Sequence, residues 1–471
     1  MKKKLTRREV LGVGAKVALG FPFFPSIISA NALRRSRQEF CVIDFGAAGD
    51  GTTLDTRAIQ MAIDKAAATG GGARVIFPGG YRFTTGTIML KSNIDFHLAD
   101  DAEIVISTDE NDYERDAVLT CQNTRNLKIS GTGNINGRAL KFMANYEEEA
   151  RRWKPGKWRP RMFQLNTCRG LEIENISFGN APFWGLHMVG CEDVLIDNLT
   201  IRNHLEVPNS DGINPDHCRN VEIKNCDIRA GDDNIVIKTT RQRVDYGPSA
   251  HIHVYDCRLQ SQSSGIKIGT ETTDDIYDIL FERCQIRDSN RACTIQSRDE
   301  GAVYNIEFRD IDFTIRQVPS SWWGLGEGIS ITSFPRSYSS DVGGIQNVRL
   351  INIKGLAENS IRVNGCPDSR IKDILLNDVD IQMKRHTKYK GGRFDNRPTQ
   401  LYDEIETCDI PGYSLRYVDN ITLSDCSIQW AQNPRKYYTH AILAESVTGL
   451  KVSGFEGDAA HPQHYDPVVL K

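Results

Sequence analysis

One unit of eight residues, apolar-x-apolar-x-[Asn/Asp]-apolar-x-apolar, recurs along most of this chain and restricts what it can fold into. Copies run from Leu171 to Phe178, Val194 to Ile201, Val221 to Ile228, Ile252 to Leu259, Ile279 to Ile286 and Ile306 to Phe313. Later copies lie at Ile374 to Ile381 and Ile421 to Ile428, with a weaker one at Val348 to Gly355. The fifth positions, Asn175, Asn198, Asn225, Asp256, Arg283 and Asp310, are 23, 27, 31, 27 and 27 residues apart. Alternation of period two marks a strand with one buried face. No helical stretch separates the copies between Leu171 and Phe313, which excludes a sheet built on crossover helices. Self-similarity at this period predicts a solenoid of short strands, an all-β parallel β-helix.

The cysteines fit the same repeat. Cys226, Cys257, Cys284 and Cys426 occupy its sixth position, where other copies carry Ile176, Leu199, Ile311, Ile353 and Val379. Cysteine in such a place acts as a small buried apolar side chain, so these four are expected to be stacked and reduced. At 471 residues the length alone would allow about three domains, but a solenoid lengthens by adding coils. A net charge of −3 leaves no electrostatic footprint for nucleic acid.

Residues 1–32 form a targeting segment, outside the fold. Arg7-Arg8 precede an apolar run from Gly12 to Ile28 that ends in Ala30-Asn31-Ala32, which resembles a twin-arginine export signal. Lys16, Pro22 and Pro25 interrupt the run and argue against stable membrane insertion. A periplasmic or extracellular protein is expected. Residues 33–39 are a polar link, and 40–471 are expected to form one β-helix domain. A helix over Thr56 to Ala68, followed by a strand over Ala73 to Phe77, is predicted to cap the open first coil. Insertions near 144–161 and 384–411 break the period, and loops of this kind usually carry the binding surface of a solenoid.

Two motifs inside the repeat carry the chemistry. Asn209-Ser210-Asp211-Gly212 and Gly231-Asp232-Asp233 place three carboxylates within 23 residues. Matching apolar positions aligns Asp211 to Asp216 with Asp233 to Lys238, then with Ser264 to Gly269 and Arg291 to Gln296. Ile213, Ile235, Ile266 and Cys293 then point inward, while Asn214, Val236, Lys267 and Thr294 point outward. Trp184 and His187 fall one rung earlier. Rungs lie about 4.8 Å apart, so Asp211 and Asp233 are expected to share a water. Turn chemistry explains Asp216 or Asp256. It does not explain three mutually repelling acids on adjacent rungs. Paired carboxylates hydrolyse glycosidic bonds, one kept protonated as the acid and another deprotonating water. That chemistry needs no metal and no cofactor.

With Asp44 to Gly51 and Asn180 to His187, these motifs resemble glycoside hydrolase family 28, the polygalacturonase family of right-handed, single-stranded, pectin lyase-like β-helices. The resemblance implies cleavage of O-glycosidic bonds in plant cell-wall polysaccharide, of pectin or rhamnogalacturonan type, with inversion. It assigns Asp232 as general acid, Asp211 and Asp233 as holders of the attacking water, and Asn209 as a positioning group. The implied partner is a polysaccharide or oligosaccharide bound by a monomer. Two departures stand out. The family's Gly-His-Gly is Ser263-Ser264-Gly265 here, and its Arg-Ile-Lys is Thr294-Ile295-Gln296. The second change removes the charged clamp for a uronate. Lys267 and Arg298 are candidates to replace it, with surface solvation as the alternative. Trp322 and Trp323 would stack on sugar rings or pack a long loop. His187, Lys238 and Gln296 complete the substrate-binding candidates. Rival readings are a β-helix lyase or epimerase using calcium on the acids, and a non-catalytic carbohydrate-binding protein.

Overall fold

A computed structural model describes residues 37–471. The segment over 1–32, expected to direct export, and the start of the link expected over 33–39 lie outside the described residues. The rest is built as the repeat predicts. One coil comprises the strands Ile213–Asp216, Arg219–Lys224 and Asp227–Ala230, after which Ile235–Thr239 lies parallel beside the first of them. Repetition of this path produces three parallel ladders wound as a right-handed β-helix.

The fifth repeat position makes one corner of each coil. Asn175, Asn198, Asn225, Asp256, Arg283 and Asp310 have φ of 63°, 56°, 55°, 54°, 49° and 52°. Asn and Asp tolerate this left-handed conformation better than other side chains. They also pair between coils: Asn198 Nδ2 donates to Asn175 Oδ1 at 2.8 Å. The corner turns the sixth residue inward. Cys226, Cys257 and Cys284 are each 1% exposed. Their Sγ atoms donate to the carbonyls of Lys224, Tyr255 and Glu282 at 3.1, 3.2 and 3.3 Å. All the cysteines are unpaired, Cys426 included. A second file, Cys168, Cys191 and Cys218, lines another corner, each cysteine three residues before a copy of the repeat.

The cap is a helix over Thr56–Ala68 that buries Ile59, Ala62, Ile63 and Ala66. The strand Ala73–Phe77 follows it. At the other end strands continue to Val468–Leu470. The two insertions are more ordered than plain loops. The first holds an antiparallel hairpin of Met143–Glu147 and Arg152–Pro155; the second pairs Arg393–Asp395 with Ile405–Thr407. Among the described residues, no helix is long and apolar enough to cross a membrane.

Candidate active site

The two acidic motifs are fastened to each other by a glycine and a serine. A Cβ on Gly231 would lie 2.2 Å from the Val207 carbonyl oxygen, so only glycine allows this approach. Gly231 N donates to Ser210 Oγ at 3.1 Å, and Ser210 Oγ donates to Val207 O at 2.8 Å. Backbone bonds then stack the turns: Gly185 N to Asp211 O at 3.0 Å, Gly212 N to Asp233 O at 2.9 Å, and Asn234 N to Ser264 O at 3.0 Å. Ile213 pairs with Ile235, Ile235 with Ile266, and Ile266 with Cys293, which is the register read from the sequence.

Asp211, Asp232 and Asp233 are 2%, 7% and 3% exposed, so each would be raised by burial unless compensated. Burial and the neighbouring Asp233 carry the Asp232 carboxyl up to about 6. Burial and Asp232 likewise lift Asp211 well above the ordinary value, although Asn214 Nδ2 donates to its Oδ2 at 2.7 Å. Asp233 goes the other way. Burial opposes its charge, but Lys267 and Lys238 hold it below the ordinary value. Its Oδ2 accepts from Lys267 Nζ at 2.8 Å, and its Oδ1 from Ser263 Oγ at 2.7 Å and Ser264 N at 3.1 Å. Ser264, at the family's histidine position, binds Asp233 only through its backbone N–H, and the hydroxyl contact comes from the preceding Ser263. One carboxyl of the trio is held ionised beside another held protonated, the combination that acid–base hydrolysis uses.

Several sequence expectations need correction. Lys267 is 6% exposed and committed to Asp233, so it is neither a solvated charge nor a free carboxylate clamp. Arg298 is fully buried, donating to Ser297 O and Thr332 O and lying 5.0 Å from the Phe334 ring centre. Burial and the charges of Arg362, Arg336 and Arg291 lower it to about 9. A further bond, Nη2 to Asn396 O at 3.4 Å, ties it to the second insertion, so this buried guanidinium is not free to clamp a carboxylate. Gln296 is 1% exposed and spends its amide on Arg397 O at 3.2 Å. Trp322 is buried and donates through Nε1 to Ala150 O at 3.1 Å, packing the first insertion as the loop alternative held. The half-buried Trp323 lies under the Arg397 guanidinium at 5.0 Å.

The remaining candidates do gather at the trio. Lys238 donates to Glu271 at 2.9 Å and lies 4.8 Å from the Trp184 ring centre. Asn209 is half-buried; its Oδ1 accepts from Arg159 Nη2 at 3.1 Å. His187 Nε2 donates to Asp216 Oδ2 at 3.0 Å, and the ring sits edge-on to Trp184 at 4.7 Å. Asp216, read as a turn residue, is instead a fully buried strand residue, fixed by Thr240 N at 2.8 Å as well as by His187. Its charge is sustained because these donors outweigh burial.

Two cations at the end of the first insertion were missed. Arg159 donates to Pro182 O, Pro208 O and Asn209, and its charge is felt by Asp232. Arg161 lies 5.0 and 5.2 Å from the ring centres of Phe183 and Trp184. The aromatic-rich charged insertion was a signal for a binding loop, but not for which residue reaches the acids.

Fold and acid trio together define a β-helix glycoside hydrolase. Residues 73–391 match the family model for glycosyl hydrolases family 28, well over half of the sequence, and the chain belongs to that family. A probable polygalacturonase from Vitis vinifera is 26% identical over 431 residues, covering 82% of this chain and 86% of its own. The crystal structure of a hyperthermoactive exopolygalacturonase from Thermotoga maritima matches with a TM-score of 0.60 at 25% identity, over 74% of this chain and 88% of its own. An endo-xylogalacturonan hydrolase from Aspergillus tubingensis matches in fold, with a TM-score of 0.55 at 15% identity over 89% of this chain and all of its own.

Proposed function

We propose that this protein hydrolyses glycosidic bonds of a pectic polysaccharide, with Asp232 as general acid and Asp233 as the base that deprotonates water. The observation carrying this is the opposite perturbation of two adjacent buried carboxyls, Asp232 raised to about 6 and Asp233 held down by Lys267, Ser263 and Ser264. Asp232 gives its proton to the leaving glycosidic oxygen. Asp233 takes a proton from the water, and Asp211 orients that water from the next rung. Inversion follows if the water attacks from the face opposite the leaving group. The pectic substrate is supported by family membership and by the polygalacturonase relatives. Export by the twin-arginine-like N-terminus belongs to the same reading.

A calcium-dependent lyase or epimerase is disfavoured because Lys267 and Lys238 already supply the positive charge that calcium would bring to the acids. The test is reducing-end release from a panel of plant polysaccharides, with the anomer of the first product followed by NMR. Ultraviolet-absorbing unsaturated products would indicate elimination. Full activity of Asp232→Asn would refute the assignment of the acid.

A further inference from the structure

Beside the trio, toward the N-terminal coils, a cavity of about 300 Å³ is lined by Arg161, Gln164, Asn166, Trp184 and His187, among others. It begins one rung from the acids. Gln164 pairs with His187, His187 pairs with Asn214, and Asn214 holds Asp211. One rung is about 4.8 Å, close to the length of one sugar residue. The volume falls at the small end of ligand pockets.

Three polar atoms here have no hydrogen-bond partner. Arg161 Nε is buried without a partner, and among the described residues its guanidinium makes no hydrogen bond. His187, 4% exposed, has committed Nε2–H to Asp216, so Nδ1 presents a lone pair that nothing fills. Asn166 Oδ1 is buried and equally unpartnered. Buried polar atoms are nearly always satisfied, and a group of them around one cavity marks a place for a polar ligand. A cationic donor with two neutral acceptors matches a sugar carrying one carboxylate and free hydroxyls. On the other side of the trio, Thr294 and Gln296 are buried and offer no cation.

We propose that this cavity is a subsite for one uronic acid residue, its carboxylate bound by Arg161 and its hydroxyls by His187 Nδ1 and Asn166 Oδ1. The bond cut then joins a uronate on this side to a neutral sugar on the Thr294 side. Trp184 acts as a positioning residue, packed against both the Arg161 guanidinium at 5.2 Å and the His187 ring at 4.7 Å.

This rests on the hydrolase reading, so its test uses binding as well as turnover. Oligomers of alternating galacturonate and rhamnose are titrated calorimetrically into the full-length Asp232→Asn protein, with carboxylates free or reduced to alcohols. The free form should bind about tenfold more tightly or better, as a charge-assisted contact implies. Arg161→Ala in that background should bring the ratio toward one, and Arg161→Lys should keep part of it. Arg161→Gln serves if the alanine variant does not fold. A ratio near one before Arg161 is changed, an unaltered ratio in Arg161→Ala, or no binding of either oligomer would overturn the proposal. Failure of the hydrolase reading shows separately, as a parent protein that cleaves nothing or an Asp232→Asn variant that cleaves normally.

Discussion

Lys267 Nζ lies 2.8 Å from Asp233 Oδ2, both side chains nearly out of solvent, at the point where the chain lacks the family's usual histidine. A buried ion pair of this kind sets which carboxyl is the base. Removing one partner leaves a buried charge uncompensated, at a cost of about 3–5 kcal/mol.

Lys267→Met should therefore raise the Asp233 pKa and move the acidic limb of the pH–rate profile upward. It then overlaps the Asp232 limb, and kcat falls ~tenfold or more with KM little changed. A lowered carboxyl pKa stabilises the fold above the unfolded value and loses that effect as pH falls. The parent's Asp233 keeps this effect down to about pH 3.8. The variant should accordingly lose stability at both pH 7 and pH 4, measured by chemical denaturation. The larger loss should come at pH 7, where its unpaired Asp233 cannot escape by taking up a proton. A change confined to KM would return Lys267 to the role of substrate clamp.

Asp232→Asn should lower kcat by roughly 10²–10⁴-fold, the usual worth of a positioned acid. Its stability should move the opposite way. A carboxyl raised to about 6 keeps its proton in the folded state after the unfolded chain has released it, so it destabilises the fold as pH rises from about 4 to 6. The variant should be as stable as the parent at pH 4 and level or higher at pH 7. Thermal melts at both pH values decide this.

The pH–rate profile of the parent should fall on the alkaline side near 6, where Asp232 loses its proton. The acidic limb belongs to Asp233, whose pKa is depressed. Because the acids are coupled, the two limbs report the trio and not single residues. Activity rising steadily from pH 6 to 8 would contradict Asp232 as the proton donor.

Plain polygalacturonate should be a weak substrate. Thr294 and Gln296 cannot make the charged contacts of the family's arginine and lysine, and each such contact contributes about 1.5–3 kcal/mol. Neither Lys267 nor Arg298 is free to substitute. Turnover of polygalacturonate, rhamnogalacturonan and neutral oligosaccharides should rank rhamnogalacturonan first. Polygalacturonate as the best substrate, indifferent to Arg161→Ala, would sink this expectation.

The cysteine file gives a structural check. Native protein should leave Cys226, Cys257 and Cys284 unmodified by a thiol reagent, with the same mass under reducing and non-reducing conditions. Disulfides among these three would contradict their place in the core.

The sequence by itself determined the β-helix, its register and the position of the acids. All three depend on local periodicity: alternation selects strands, a left-handed residue, Asn or Asp at most copies, sets each corner, and one register keeps every apolar column inside. The capping helix was legible for the same reason, in Ile59, Ala62, Ile63 and Ala66. Only the tertiary structure decided how the site is charged. Whether Lys267 faces solvent or Asp233, and whether Arg298 reaches the cleft or fills the core, depends on coils and insertions distant in sequence. Asp216 is likewise decided by Thr240 and His187, and Arg161 by Phe183 and Trp184. Burial and charge pairing are properties of all the groups around a side chain, and a repeat pattern does not encode them.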